Sequence, residues 1–149
     1  MILTNEIRAK MMQWEGYRLK AYRCPAGVLT IGYGHTGPDV TEGMTITGPQ
    51  AVALFNADVD KFARSVEAVL AGVSLKQKQF DALVSLAYNI GLGNLKKSTL
   101  LKNVRINPDD PTIRAEFLKH VNARVNGVLK PLPGLVKRRT AEADHYFSA

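Results

Sequence analysis

The sequence predicts an α+β fold that is mostly α-helical, with a small β-rich lobe and a larger helical lobe joined by one long helix. Three observations support this prediction. Residues 17–36 alternate apolar and polar side chains on both sides of a turn. Residues 52–69 repeat apolar side chains at helical spacing, and the segments after residue 74 carry helix caps and helix stops. With 149 residues the chain is long enough to bury a core as a single domain.

The first half predicts a helix, a hairpin and a long helix in that order. Thr4 can cap a helix over residues 4–14 whose apolar stripe ends at Trp14. The turn Cys24-Pro-Ala-Gly then separates two alternating runs, which predicts a β-hairpin, and we expect a third short strand near residues 39–46. Thr47 with Gln50 forms a capping box, and it opens a long amphipathic helix that ends near Gly72.

The second half is predicted to be helical throughout. Ser74 with Gln77 forms another capping box, opening a helix that is apolar nearly all round and ends at Gly91. Asp110 and Pro111 start a later helix, and Pro133-Gly134 precede a last helix that ends near Phe147. We therefore predict one domain over residues 1–149, with a cleft between its lobes, divided into a β-rich lobe (about 16–46), a connecting helix (about 48–71) and a helical lobe (about 74–149 with helix 4–14).

Composition narrows the class of protein. One cysteine excludes an internal disulfide framework, the start of the chain does not resemble a secretory signal, and no apolar run approaches the roughly 20 residues that span a bilayer. The net charge of +7 lies entirely in residues 75–149. This asymmetry indicates a polyanionic partner such as nucleic acid, an anionic membrane face or an acidic polymer; a solvated basic surface explains it equally well.

Three chemical motifs are weak. Gly-Tyr-Gly-His-Thr-Gly at residues 32–37 satisfies the spacing of a dinucleotide-binding loop, but Pro38 follows at once where a helix would have to open. The three histidines His35, His120 and His145 are dispersed, so no metal site is predicted. Cys24 and His35 could form a thiolate nucleophile with its base, the arrangement of a cysteine amidase or peptidase.

Glu15 is the stronger candidate. It ends an apolar helical stripe at the junction with the hairpin, between Trp14 and Tyr17. Partial desolvation there would raise the pKa of its carboxyl, which suits a general acid; a solvated surface glutamate is the ordinary alternative. On the hairpin, alternation turns Thr30 to the face opposite Leu29 and Ile31.

The run from Glu15 to His35 resembles the phage-type lysozymes, the endolysins of glycoside hydrolase family 24. Their pattern is Glu, eight residues, Asp or Cys, five residues, Thr, and Glu15, Cys24 and Thr30 match it without a gap. The resemblance continues through Leu86-Ala-Tyr-Asn-Ile-Gly, Lys97-Ser-Thr-Leu-Leu and Leu132-Pro-Gly-Leu-Val-Lys-Arg-Arg, over essentially the whole chain.

The resemblance implies a two-lobed lysozyme-like fold and hydrolysis of the β-1,4 bond between N-acetylmuramic acid and N-acetylglucosamine in peptidoglycan, without a cofactor or metal. It implies that Glu15 is the general acid and that Thr30 helps to hold the attacking water. Tyr88 and Asn89 match positions that contact the substrate, although core packing is an equal alternative for Tyr88. His35 is expected to support the substrate-binding site through a hydrogen bond or ion pair.

Cys24 stands where many relatives carry aspartate. An unperturbed thiol has a pKa of about 8.5 and is mostly protonated at neutral pH, so a catalytic thiolate would need a lowered pKa. Three roles stay open: a base that activates water, a covalent nucleophile, and a neutral group that positions water. The inverting chemistry ascribed to the family favours the first.

The expected partner is bacterial peptidoglycan, with electrostatic contact to an anionic cell envelope, no nucleic acid, and a monomeric chain. We expect accumulation in the host cytoplasm until the membrane is permeabilised, followed by action on the wall that releases phage progeny. The alternatives are a peptidoglycan-binding protein of the same fold that has lost hydrolysis, and a basic helical protein that binds nucleic acid through its second half.

Overall fold

The computed structural model describes residues 1–149 and is mostly helical with a small antiparallel sheet, as the sequence predicts. Its helices are α1 Asn5–Glu15, α2 Gly48–Val69, α3 Gln77–Ile90, α4 Leu92–Lys97, α5 Thr99–Ile106, α6 Ile113–Phe117 and α7 Pro133–Tyr146. Its strands are β1 Arg18–Arg23, β2 Leu29–Gly32, β3 His35–Thr36, β4 Asn122–Val125 and β5 Val128–Pro131. The chain divides into two compact units, residues 8–61 and residues 1–7 with 62–149. The predicted lobe boundaries stay a prediction.

The unit of residues 8–61 contains the predicted hairpin. Strands β1, β2 and β3 form one antiparallel sheet in that order, and Arg23 pairs with Leu29 across the turn that contains Cys24. The third strand is not where the sequence predicts it, because it consists of His35 and Thr36. Residues 39–46 mostly form turns, and only their end approaches β1: Thr45 makes an isolated antiparallel bridge to Lys20, flanked by backbone hydrogen bonds from Ala21 N to Met44 O (2.8 Å) and from Ile46 N to Leu19 O (2.8 Å).

Helix α2 begins with the predicted capping box. The Thr47 amide donates to Gln50 Oε1 (2.8 Å), and the Gln50 amide donates to Thr47 Oγ1 (3.2 Å). Its apolar stripe is buried at Phe55 and Val59, which confirms the helical spacing. The second capping box is displaced from its predicted place: α3 is capped at Lys76, whose amide donates to Gln79 Oε1 (2.9 Å), and not at Ser74.

The unit of residues 1–7 with 62–149 is built around α3. Its residues from Gln79 to Ala87 are all buried, and α7 packs against it. The prediction of a wholly helical second half is wrong at one place, because β4 and β5 pair as a two-stranded antiparallel ribbon. Its turn is Asn126-Gly127, and both residues have positive φ (51° and 79°), as a tight two-residue hairpin turn requires. None of the helices is long and apolar enough to cross a membrane.

Candidate active site

Glu15 is the last residue of α1. The helix is capped by Thr4, whose hydroxyl accepts from the Ile7 amide (3.3 Å), and it is held by the fully buried side chains of Ile7 and Met11. It stops at Gly16, whose amide donates to Met12 O (3.0 Å) and whose φ of +60° is the left-handed conformation that favours glycine. The Glu15 side chain is therefore half-buried at the end of a well-anchored helix.

Cys24 lies directly after β1, at the start of the turn to β2. Its amide donates to Val28 O (3.0 Å), and the Gly27 amide donates to Cys24 O (2.8 Å). Gly27 has φ +81°, which favours glycine, so the turn is closed by a residue suited to it. Cys24 is half-buried and forms no disulfide. The hairpin thus holds Cys24 in a defined place relative to β2.

The hairpin turn lowers the pKa of the Cys24 thiol. Hydrogen bonding to backbone at Val28, and next at Ala26, favours the thiolate; partial burial opposes this, and Thr30 and Gly27 add to the lowering. A catalytic thiolate at this position requires a pKa shift in this direction. The guanidinium of Arg23 is engaged elsewhere, with Gly27 O (2.9 Å) and with a glutamate of the loop after β3.

Thr30 is buried in β2 beside Cys24. Its hydroxyl donates to Val28 O (3.0 Å) and also lies close enough to hydrogen-bond the thiol. A hydroxyl carries one proton and two lone pairs, so Thr30 can give its proton to only one of these partners at a time while accepting from a third. That property suits a residue that positions a water molecule beside Cys24.

His35 is held between two carboxylates. Its Nδ1 lies 2.7 Å from Asp58 Oδ2 and its Nε2 lies 2.8 Å from Asp39 Oδ2, with 12% of its side chain exposed. Burial disfavours the imidazolium, but the hydrogen bonds and charges of Asp58 and Asp39 outweigh it, so the pKa of His35 is raised. A histidine with both ring nitrogens facing carboxylates donates from both as the imidazolium. His35 is therefore not available as a base for Cys24, which disfavours the cysteine-amidase interpretation.

Tyr88 and Asn89 lie in the last turn of helix α3, in the other unit. The Tyr88 ring packs at 59° to the ring of Phe62, with centroids 5.4 Å apart. Asn89 is exposed, and its Oδ1 accepts from Arg139. Asn89 lies on the wall of a groove of about 890 Å³, which also includes Asn94, Lys97, Lys119, His120 and Asn122.

A buried ionic cluster beneath this groove was not predicted. Arg138 and Arg139, which the sequence allows either as part of a basic surface or as interlobe or helix C-terminal charges, are 4% and 0% exposed. Arg139 Nη1 donates to Glu142 Oε1 (2.7 Å), and Glu142 Oε2 accepts from Ser85 Oγ (2.5 Å). Burial raises the pKa of Glu142 in spite of the two arginines. The spacing Arg-Arg-x-x-Glu on one helix is the only signal in the sequence that could have indicated these pairs. No group of three or more histidine, cysteine or acidic side chains is placed to hold a metal ion.

The family model of phage lysozymes matches residues 12–142. The chain is similar to the endolysin of Acyrthosiphon pisum secondary endosymbiont phage 1, with 44% identity over 137 residues that cover 92% of each chain. It is also 44% identical over 131 residues to the endolysin of Bacillus phage B103; the match covers 87% of this chain and about half (48%) of that protein.

Solved structures share the fold. The endolysin of Escherichia coli O157:H7 phage FAHEc1 superposes with a TM-score of 0.86 at 35% identity, covering 99% of this chain and 94% of that one. The muramidase domain of SpmX from Asticaccaulis excentricus superposes with a TM-score of 0.89 at 29% identity, covering 99% and 98%. The predicted mostly helical lysozyme-like fold is thereby confirmed.

Proposed function

The chain belongs to the phage lysozyme family, and from that premise we propose that Glu15, Cys24 and Thr30 carry out its reaction. It is an endolysin that hydrolyses peptidoglycan as a glycoside hydrolase. The bond we assign is the β-1,4 link between N-acetylmuramic acid and N-acetylglucosamine. The observation that carries the residue assignment is the hairpin turn whose hydrogen bonds lower the pKa of Cys24 beside the Thr30 hydroxyl.

In the proposed reaction Glu15 acts as the general acid. Its carboxyl gives a proton to the glycosidic oxygen while the bond from that oxygen to the anomeric carbon breaks, leaving an oxocarbenium-like centre. A water molecule held by Thr30 attacks the opposite face of this centre. The Cys24 thiolate takes the proton that the water loses, so the products are two sugar ends, a thiol and a Glu15 carboxylate. Proton exchange with solvent restores the enzyme.

The experiment that tests this function measures new reducing ends from purified peptidoglycan, with masses of the released products. We expect muramyl reducing ends. Released peptides or amines in place of reducing ends would instead indicate an amidase, and binding without product would indicate a wall-binding protein that has lost hydrolysis.

Cys24 has the sharpest test, because it is the only cysteine in the chain and alkylation is therefore site-specific. We expect Cys24→Ser to lower the rate of reducing-end release by about 10²–10⁴-fold, since a serine hydroxyl cannot supply the base. Cys24→Asp should keep most of the activity, because a carboxylate is ionised at neutral pH.

Product stereochemistry, adduct mass and alkylation, together with Cys24→Ser, separate the three roles of Cys24. If Cys24 acts as a base, NMR should show products with inverted anomeric configuration, and mass spectrometry should show no covalent adduct. Iodoacetamide should then abolish activity. A covalent nucleophile gives retained anomers and a trapped glycosyl adduct. Full activity of Cys24→Ser, or of the alkylated enzyme, would contradict both the base and the nucleophile.

We propose that Tyr88 and Asn89 contact the substrate and that His35 supports the substrate-binding site. An amide can hydrogen-bond the polar groups of the polymer, and an aromatic face can pack against a sugar ring. Asn89 is supported by its exposure on the groove wall. The ion pairs of His35 with Asp39 and Asp58 support a role in holding β3 against α2, within the unit that carries Cys24.

The basic surface is proposed to attract the anionic cell envelope. Residues 117–141 contain six arginines and lysines and no acidic residue, and of these Lys119, Arg124, Lys130 and Lys137 are exposed. Because exposed charges are screened by salt, we expect binding to purified walls to weaken as salt rises from about 0.05 to 0.2 M. A pull-down assay with Lys130→Gln/Lys137→Gln should show weaker binding and a smaller salt dependence; unchanged salt dependence would contradict this attraction.

The route to the wall is also a proposal: the enzyme accumulates in the host cytoplasm as a monomer and reaches peptidoglycan once the membrane opens. Fractionation of expressing cells before and after membrane permeabilisation tests the route. Sedimentation at several concentrations tests the oligomeric state.

A further inference from the structure

Arg139 is a fully buried charge that the proposed reaction does not use. One side of its guanidinium is paired with Glu142 (2.7 Å), and Glu142 is in turn held by Ser85 (2.5 Å) and Arg138 (3.3 Å). All four side chains are buried. A planar guanidinium fixed in this way has little freedom to rotate, so the direction of its other N–H groups is set by the core of the unit.

Those other N–H groups determine which way the Asn89 amide faces. Nη2 of Arg139 donates to Asn89 Oδ1. A guanidinium has donors only, so the oxygen of Asn89, and never its nitrogen, must face Arg139. The two N–H donors of Asn89 are then directed away from Arg139, on an exposed side chain that lies on the groove wall.

The next asparagine on the groove has the opposite polarity. Asn94 Nδ2 donates to Ile90 O (2.7 Å), so its amide nitrogen is used by a backbone carbonyl four residues earlier. The Asn94 oxygen lies on the other side of the amide and can accept from a ligand, while the second N–H of the amide is still a donor. The groove therefore offers donors at Asn89 and an acceptor at Asn94, and the exposed Lys97 adds a cationic donor.

We propose that Arg139 is a positioning residue, which orients Asn89 so that the groove receives the carbonyl oxygen of a secondary amide. Donor and acceptor side chains on one groove are complementary to the C=O and N–H of such a group. This inference rests on the proposed function, because peptidoglycan carries secondary amides in two places: the acetamido groups of its sugars and the peptide bonds of its stems.

The test measures binding directly, so that it does not depend on hydrolysis. The probes are soluble peptidoglycan fragments and the same fragments after enzymatic removal of their peptides, titrated by calorimetry into the full chain carrying Glu15→Gln. Asn89→Asp keeps an oxygen for Arg139 but replaces the outward donor with an acceptor. We expect its Kd to rise at least about 10-fold, which corresponds to the loss of one hydrogen bond of about 1.4 kcal/mol.

Asn89→Ala should fall between the original side chain and Asn89→Asp, because it loses the donor without adding a repelling oxygen. Asn126→Asp is the matched control, since it adds the same charge to the same unit in the turn of the β4–β5 ribbon, outside the groove. If Asn89→Asp binds peptide-free fragments more weakly, the groove receives the acetamido group of a sugar. If Asn89→Asp weakens the binding of intact fragments only, the groove receives a peptide bond of the stem. Asn89→Asp binding both probes as tightly as Asn89 would overturn the proposal.

The role of Arg139 itself is tested by a double-mutant cycle. Arg139→Lys keeps the charge and loses the planar fork, and its effect on Kd should disappear in the Asn89→Ala background. A merely structural role predicts that the two effects add, and additivity would overturn the positioning role. If Arg139→Lys does not fold, the order of affinities at position 89 still decides, because Asn89→Asp preserves the pairing with Arg139.

Failure of the two proposals can be told apart. If the wild type releases no reducing ends but the affinities for fragments follow the predicted order at position 89, the proposed reaction is wrong and the groove assignment is still supported. Normal reducing-end release with equal fragment affinities for Asn89, Asn89→Ala and Asn89→Asp contradicts the groove assignment alone.

Discussion

Replacing Glu15 with glutamine is expected to lower reducing-end release from peptidoglycan by about 10²–10⁴-fold or more, the usual contribution of a positioned general acid. Glutamine is nearly isosteric and keeps hydrogen-bonding capacity, but it has no proton of suitable acidity to give to the glycosidic oxygen. Since a half-buried side chain at the end of α1 changes little in shape, we expect the variant to fold and to bind the wall normally.

The matched control is Glu6→Gln. It makes the same change in the same helix, in its first turn, at a side chain that is 52% exposed. The control should retain near-normal activity, while its circular dichroism and unfolding curve should match those of Glu15→Gln. Equal activities of the two variants would remove Glu15 from the reaction.

Replacing His35 with asparagine is expected to lower the free energy of unfolding by about 1.5–3 kcal/mol, the range for hydrogen bonds to charged groups. His35 is 12% exposed on its side chain, and it joins Asp39 in the loop after β3 to Asp58 in α2. Asparagine can hydrogen-bond one carboxylate but carries no positive charge. Urea unfolding of both proteins at matched salt measures the difference.

The pH dependence of this difference gives a second check. The folded-state pKa of His35 is raised above its usual value, so its contribution is fully present below about pH 6.5 and is lost as pH rises through the higher folded pKa. The hydrogen bond from His35 lowers the pKa of Asp39, whose contribution is present above about pH 3.9 and is lost as pH falls through the lower folded value. The gap between wild type and His35→Asn should therefore be largest between about pH 4 and 6.5.

His120 provides a control with the opposite sign. Burial, with help from the charge of Arg139, lowers the pKa of His120, so this group binds its proton more readily in the unfolded chain. It therefore destabilises the fold increasingly as pH falls below about 6.5, and His120→Asn should relieve this effect at acid pH. Parallel pH profiles for the His35 and His120 variants would contradict the assignment of the ion pairs to His35.

Much of the fold could be predicted because its elements are specified locally. The 3,4 spacing of apolar residues in α2 and the Thr47–Gln50 box are properties of neighbouring residues, and both appear in the structure. The β4–β5 ribbon carries a local signal as well, an Asn126-Gly127 turn between Val125 and Val128. The sequence does not predict these strands beyond the turn, because their side chains are mostly exposed and show little burial-driven periodicity.

By itself the sequence indicated the candidate catalytic set, because Glu15, Cys24 and Thr30 match the pattern of the phage-type lysozymes within one short segment, at a helix end and on one hairpin. Only the tertiary structure decided the state of the distant groups. His35 meets Asp58 across 23 positions, and Arg139 meets Asn89 across 50. A charged side chain is expected from sequence to lie at the surface, whereas burial and a partner's charge, which set its protonation and orientation, depend on which elements pack together in space.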